Sequence, residues 1–150
     1  MDILYIVVPC YNEEAVLPET SLRLKKKLNS LINKSTISPL SRVLFVDDGS
    51  TDKTWQIISC LCNDDNIFEG LKLSKNCGHQ NALFAGLMTA RNYCDVSISV
   101  DADLQDDIEA IDRFLDEYSS GCEVVYGVRD NRESDSFLKR STAESFYKIT

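Results

Sequence analysis

Positive charge is scarce in this chain: 16 Lys and Arg stand against 24 Asp and Glu, a formal net charge of −8 over 150 residues. A nucleic-acid binder carries a basic footprint, so that class is set aside, as is adhesion of this segment to anionic lipid by charge alone. Long apolar runs are missing too. None approaches the ~18 residues needed to cross a bilayer. The N-terminus enters MDILYIVVP directly, with neither a basic n-region nor a small-residue cleavage site, so no secretory signal is visible. Histidine occurs once, at His79, and Cys60 and Cys62 have one residue between them rather than two, which argues against zinc. Without a secretory signal the six cysteines read as reduced thiols of a cytoplasmic protein, and disulfides are not expected. Internal repeats and low-complexity segments are absent as well. What is present, 43% hydrophobic and 27% charged residues, is the composition of one soluble globular domain able to bury a core.

Short apolar runs alternate with longer amphipathic segments. ILYIVV (3–8) reads as a strand buried on both faces and ended by Pro9. Leu17, Leu24, Leu28 and Leu31 recur at helical spacing from Glu13 to about Asn33, with acids in the first turn and Lys25 to Lys27 later. A polar connector (34–41) leads to a strand, RVLFVD (42–47), and a turn, DGSTD, feeding a helix over about 52–64 capped by Ser50 or Thr51. A third strand (68–74) precedes a helix opened by NCGHQ (76–80), with Leu83, Leu87 and Ala90 on one face. VSISV (96–100) is a fourth strand. A helix follows with Ile108, Ile111, Phe114, Leu115 and Tyr118 on one side, and CEVVYG (122–127) reads as a fifth strand. This alternation predicts an α/β fold, a Rossmann-like, mainly parallel sheet with helices on both faces. The tail RDNRESDSFLKRSTAESFYKIT is polar and then helical, and it stops in mid-element, so the C-terminal part reads as truncated.

Ligands of open parallel sheets bind at the carboxyl ends of the strands, and there PCYNEE, DDGSTD, KNCGHQN and DADLQDD all fall. A strand continuing through Asp103 would point Asp101 and Asp103 to one side, with Gln105 adding an amide oxygen. Such a hard, open oxygen set suits Mg²⁺ or Mn²⁺, with phosphate oxygens and water completing the shell. Asp106 and Asp107 have the plainer role of N-caps for the next helix. Asp47 and Asp48 before Gly49 form a turn for local reasons or accept N–H bonds from a nucleobase whose ring lies on Tyr11, beside Asn12. Glu13 caps the first helix or reaches the ligand. Asn76, Gly78 and His79 open a helix whose amides could receive phosphate, and His79 is either a donor there or a structural hydrogen-bonding residue.

PCYNEE, VDDGSTDKT, NCGHQNALFAGL and VDADLQDD, in this order and spacing, resemble the family 2 glycosyltransferases of the A-type fold. YGVRDNRESDSFLKRSTAESFYKI is similar to the subgroup acting on polyprenyl phosphates, the dolichyl-phosphate mannose synthases and bacterial polyprenyl-phosphate sugar transferases. The resemblance spans essentially the whole chain, read as one catalytic domain with an acceptor-side tail from about 129. It implies a UDP- or GDP-sugar donor, and a divalent metal on Asp101 and Asp103 with Gln105. It also implies a donor pocket lined by Pro9, Tyr11, Glu13 and Asp48 and extending to Ala102, and basic Arg129, Arg132 and Arg140 near the diphosphate and lipid phosphate. The implied reaction is inverting transfer to polyprenyl phosphate. Implied too are attachment at the cytoplasmic face of the membrane through segments outside this chain, and an acidic catalytic residue beyond Thr150. Oligomeric state is left open between monomer and homo-oligomer. The family often has an aromatic residue where Cys77 stands and a Pro-containing run at Asp107 and Ile108; neither departure touches the metal motif.

Three other readings compete. A nucleotidyltransferase of similar architecture would usually show a glycine-rich basic loop after the first strand, and PCYNEE is not one. A nucleotide-sugar-binding fragment without catalytic competence fits the same residues. A receiver-type regulatory domain also has parallel strands and an acidic pair, but there the pair follows the first strand, which here ends in PCYN.

Overall fold

The computed structural model describes residues 1–103 and 107–128. The chain divides into two compact units, Met1–Glu109 and Ala110–Thr150. In the first unit the strands are β1 (Leu4–Cys10), β2 (Arg42–Asp47), β3 (Phe68–Lys72) and β4 (Val96–Ser99). The helices are α1 (Leu17–Asn33), α2 (Thr54–Asp64) and α3 (His79–Ala90). All strand pairs are parallel, in the order β3-β2-β1-β4. The chain therefore steps outward from β1 to β3, then crosses back through α3 to lay β4 on the other side of β1. That reversal makes a topological switch point between β1 and β4. It also excludes the receiver-type domain, whose order places the third strand beside the first; here β3 pairs with β2.

Every residue of β1 is buried, as its unbroken apolar run requires of a central strand. Tyr5, Val7, Leu44 and Val46 face α3, where Ala82 and Ala90 complete the cluster and Leu83 and Leu87 pack at its margin. The stripe of α3 that lies closest to the sheet is Ala82, Gly86 and Ala90 rather than the leucines. A Cβ on Gly86 would stand 2.5 Å from Val7 Cγ1 and 2.7 Å from Val46 Cγ2, so glycine lets the helix approach. The alternate strand residues, Ile6, Val8, Val43 and Phe45, are buried as well, and Leu17, Leu24, Leu28 and Leu31 of α1 are at most 1% exposed.

Pro9 does not end β1. It lies inside the strand, level with Val46. Leu4 N–H and Cys10 C=O bond on the β2 side, and Ile3 and Val7 carbonyls on the β4 side. By that alternation the N–H missing at Pro9 would point toward β4, whose ladder has already stopped at the Val7–Ser99 pair. No ladder bond is forfeited, which is the condition for proline in a strand. The same spot is where β1 and β4 part.

Helix starts are later than the sequence suggests. Glu13 does not cap α1 with its side chain; its carbonyl accepts the Val16 and Leu17 amides, and Pro18 takes the first-turn position that suits proline. Ser50 and Thr51 do not cap α2, where Asp52 Oδ1 accepts the Thr54 amide at 2.9 Å instead. Strands β3 and β4 stop at Lys72 and Ser99, short of the expected 74 and 100.

The second unit contains α4 (Ala110–Ser119), in which Ile111 and Leu115 are buried. It closes on a Schellman motif: Gly121, at φ +102°, donates to Tyr118 O, and Cys122 donates to Glu117 O. The expected fifth strand at 122–127 is not formed. Val124 and Tyr126 are exposed, and the segment joins no ladder among the described residues. An apolar run supplies strand side chains but not the neighbouring backbone that makes a strand. Among the described residues no helix is long and apolar enough to cross a membrane.

Candidate functional site

Three loops leave the carboxyl edge of the sheet after β1, β2 and β3, and hydrogen bonds stitch them together. Asn12, at φ +56°, donates its N–H to Ser50 Oγ (3.0 Å), and its Oδ1 accepts the Thr51 amide (2.9 Å). The left-handed conformation is one that asparagine tolerates. Glu13 N–H reaches Thr54 Oγ1 at 2.8 Å. Glu14 donates its amide to Asp52 Oδ2 and accepts the Lys53 amide at Oε2. The polar residues of DGSTDKT thus serve the neighbouring loop more than their own helix.

Asp47 and Asp48 differ in what they bond. Asp48, 2% exposed, accepts the Cys77 amide at Oδ1 (2.7 Å) and the Gly78 amide at Oδ2 (2.9 Å). Its carboxylate therefore ties the β2 loop to the start of α3. This revises the expectation for Gly78, whose amide faces Asp48 and Asn76 Oδ1 rather than a phosphate. Gly49 is required at that junction: its φ is +67°, and a Cβ would stand 2.5 Å from Asn76 N and Lys75 C. Asp47 is fully buried; Oδ1 accepts the Ser50 amide at 3.2 Å, while Oδ2 has no hydrogen-bond partner among the described residues. A buried carboxylate oxygen left unmatched is costly, and it marks a place where an outside donor would be welcome.

Across the switch point the polypeptide turns at residues 102 and 103. The strand does not continue through Asp103, yet the alternation persists: Val100 and Ala102 are buried, and Asp101 and Asp103 exposed. Both carboxylates are thus presented outward. Burial raises the pKa of Glu13, and the negative charges of Asp103, Asp52 and Asp101 raise it further. Glu13 therefore belongs to the same acidic cluster from the β1 side. His79, first residue of α3, holds Nε2 3.7 Å from Asp101 Oδ1. Tyr11 is 45% exposed beside this opening, and Pro9 is buried beneath it.

Among the described residues no three His, Cys, Asp or Glu side chains converge as a closed metal site. The two exposed carboxylates instead fit an open site of hard oxygen donors, completed by ligand oxygens and water. Asp107 Oδ1 accepts the Glu109 amide at 2.9 Å in the turn before α4, rather than capping that helix as expected. Gln105 and Asp106, and the basic Arg129, Arg132 and Arg140, lie outside the described residues. Sequence reasoning placed Glu14, Ser50 and Thr51 at the edge within PCYNEE and DDGSTD but not among the site residues, and it missed the role of Thr54. Their trace in the sequence is a surplus of capping side chains, more than two helix starts can use.

Fold and edge together describe an α/β protein with a parallel sheet and an acidic edge at the switch point between β1 and β4. The model of Glycosyl transferase family 2 matches residues 5–149, and the chain belongs to that family. An uncharacterized glycosyltransferase, YkoT of Bacillus subtilis (strain 168), is 51% identical over 147 residues, covering 98% of this chain and 44% of its own length. The bactoprenol glucosyl transferase of Shigella phage SfX is 36% identical over 145 residues, covering 96% of this chain and 45% of its own. Among solved structures, S. aureus TarS 1-349 in complex with UDP superposes with a TM-score of 0.53 at 24% identity, over 86% of this chain and 40% of that one. At that identity the likeness concerns the fold. The chain spans less than half the length of the curated relatives it matches.

Proposed function

We propose that the crevice between the carboxyl ends of β1 and β4 binds a nucleoside diphosphate sugar with Mg²⁺ or Mn²⁺. In the whole protein the sugar would then pass, with inversion, to a polyprenyl phosphate. One observation carries this reading: two exposed carboxylates, Asp101 and Asp103, stand at the switch point with Glu13 crowding them and His79 alongside. Relatives named bactoprenol glucosyl transferase support the lipid-phosphate acceptor. TarS structures with UDP and with UDP-GlcNAc support a UDP-type donor on this fold.

In this reading Tyr11 offers its ring to the base, with Pro9 and Asn12 shaping the floor. Asp47 Oδ2 is a buried acceptor left unmatched among the described residues, and Asp48 keeps the loops in place. Asp101 and Asp103 would hold a divalent ion, which would offer positive charge to the donor diphosphate, and His79 can donate to a phosphate oxygen. The acceptor phosphate oxygen attacks the anomeric carbon, and the bond from that carbon to the diphosphate breaks with its electron pair leaving on the diphosphate. A divalent ion bound there supplies positive charge against the charge that develops on the leaving group. The acceptor phosphate is already largely ionised near neutral pH, so alignment and charge neutralisation matter more than a strong base.

Calorimetry with UDP, GDP and their sugar conjugates tests the reading, with Mn²⁺ and with chelator. Binding should require the metal and be lost in Asp103→Ala. Binding of equal strength in chelator would sink the metal assignment.

A further inference from the structure

Two side chains of α1 reach the acidic loop from the side away from the crevice, and the proposed reaction uses neither. Thr20 is 2% exposed, with Oγ1 3.0 Å from Val16 O in its own helix and 2.5 Å from Ala102 O. A hydroxyl carries one proton. Bonding back to residue i−4 is the ordinary habit of a helical threonine, but here the shorter contact is to the carbonyl between Asp101 and Asp103. Seven residues later, on the same face of the helix, stands Lys27. It is 7% exposed, unusual for lysine, and its Nζ lies 2.6 Å from Glu109 Oε2.

One helix thus bonds to the chain at Ala102, between the two carboxylates, and at Glu109. That helix is itself fixed, since Leu17, Leu24, Leu28 and Leu31 anchor it in the core. We propose that Thr20 and Lys27 are positioning residues. By gripping the Ala102 carbonyl and the Glu109 carboxylate from α1, they set where the Asp101 and Asp103 carboxylates stand relative to the donor diphosphate. The proposal rests on the donor-site reading above and adds to it the means by which an exposed loop keeps a fixed geometry. Groups that orient a ligating residue from behind matter to metal affinity nearly as much as the ligands do.

The experiment is calorimetric titration of the intact chain with UDP and with GDP in Mn²⁺, alongside the Mn²⁺ electron paramagnetic resonance spectrum and the melting temperature. Thr20→Val keeps the shape and removes the hydroxyl. It should weaken metal-dependent binding by about tenfold and alter the Mn²⁺ spectrum, and Thr20→Ser should restore both. If Thr20→Val does not fold, Glu109→Gln carries the same test, because Glu109 is 78% exposed. Its binding should fall while its melting temperature holds. Normal binding in the unmodified chain together with undiminished binding in the folded variants overturns the proposal alone. No metal-dependent binding in the unmodified chain overturns the donor-site reading and this proposal with it.

Discussion

The two banks of the crevice are built differently. On the β1–β2–β3 bank polar side chains accept backbone amides across loops: Ser50 from Asn12, Asn12 from Thr51, Thr54 from Glu13, Asp52 from Glu14, Glu14 from Lys53, and Asp48 from Cys77 and Gly78. On the β4 bank Asp101 and Asp103 are exposed, and Thr20 of α1 donates to the Ala102 carbonyl between them. On the first bank Asp48, Asp52 and Glu14 accept backbone amides of neighbouring loops. The other presents its acids outward, where a cation and a diphosphate can engage them. Motifs rich in Asp and Glu therefore need not act alike: their partners decide whether they are scaffold or ligand.

The sharpest way to break the first bank is Asp48→Ala. It leaves the Cys77 and Gly78 amides without their acceptor and should destabilise the fold by about 3 kcal/mol, read by urea denaturation. Asp103→Ala, on the open bank, should stay within about 0.5 kcal/mol of the unmodified chain while losing metal-dependent nucleotide binding. Similar stability losses in both variants would erase the contrast. Gly49→Ala comes next. A side chain at φ +67° costs about 1–2 kcal/mol, and the Cβ would press on the backbone at Lys75 and Asn76. The loss should appear as a lower denaturation midpoint.

How much of this was legible beforehand follows from the range of the interactions. The strands of the sheet and the edge that collects the motifs could be read because burial on both faces and alternation of elements are local patterns. Pro9 was misread as a terminator, since the harmlessness of its missing N–H depends on where β4 stops, some ninety residues away in sequence. Ser50 and Thr51 looked like caps because capping is the local use of a hydroxyl, whereas their partner, Asn12, is 38 to 39 residues distant. Asp47 and Asp48 are neighbours of one chemical type, and no local rule separates the residue that ties a loop from the one with an unmatched oxygen. CEVVYG had the side chains of a strand, but pairing is a property of two segments.

The smallest expected effect lies where the two banks meet, at Glu13. Burial, and then the charges of Asp103, Asp52 and Asp101, raise its pKa above the usual glutamate value. Between the unfolded value and this raised folded value, the folded chain binds more protons than the unfolded one. Stability is therefore greatest below the unfolded pKa and is lost as pH rises through the folded one. For the metal-free chain, a melting-temperature series should fall across that window. Glu13→Gln should flatten the fall and raise the melting point at neutral pH. The gain stays small because solvent screens a partly exposed group. It should shrink further when Mn²⁺ is added, because a cation on Asp101 and Asp103 relieves the same repulsion. An identical pH profile in the unmodified chain and Glu13→Gln would separate Glu13 from the acidic cluster and leave the two banks electrostatically independent.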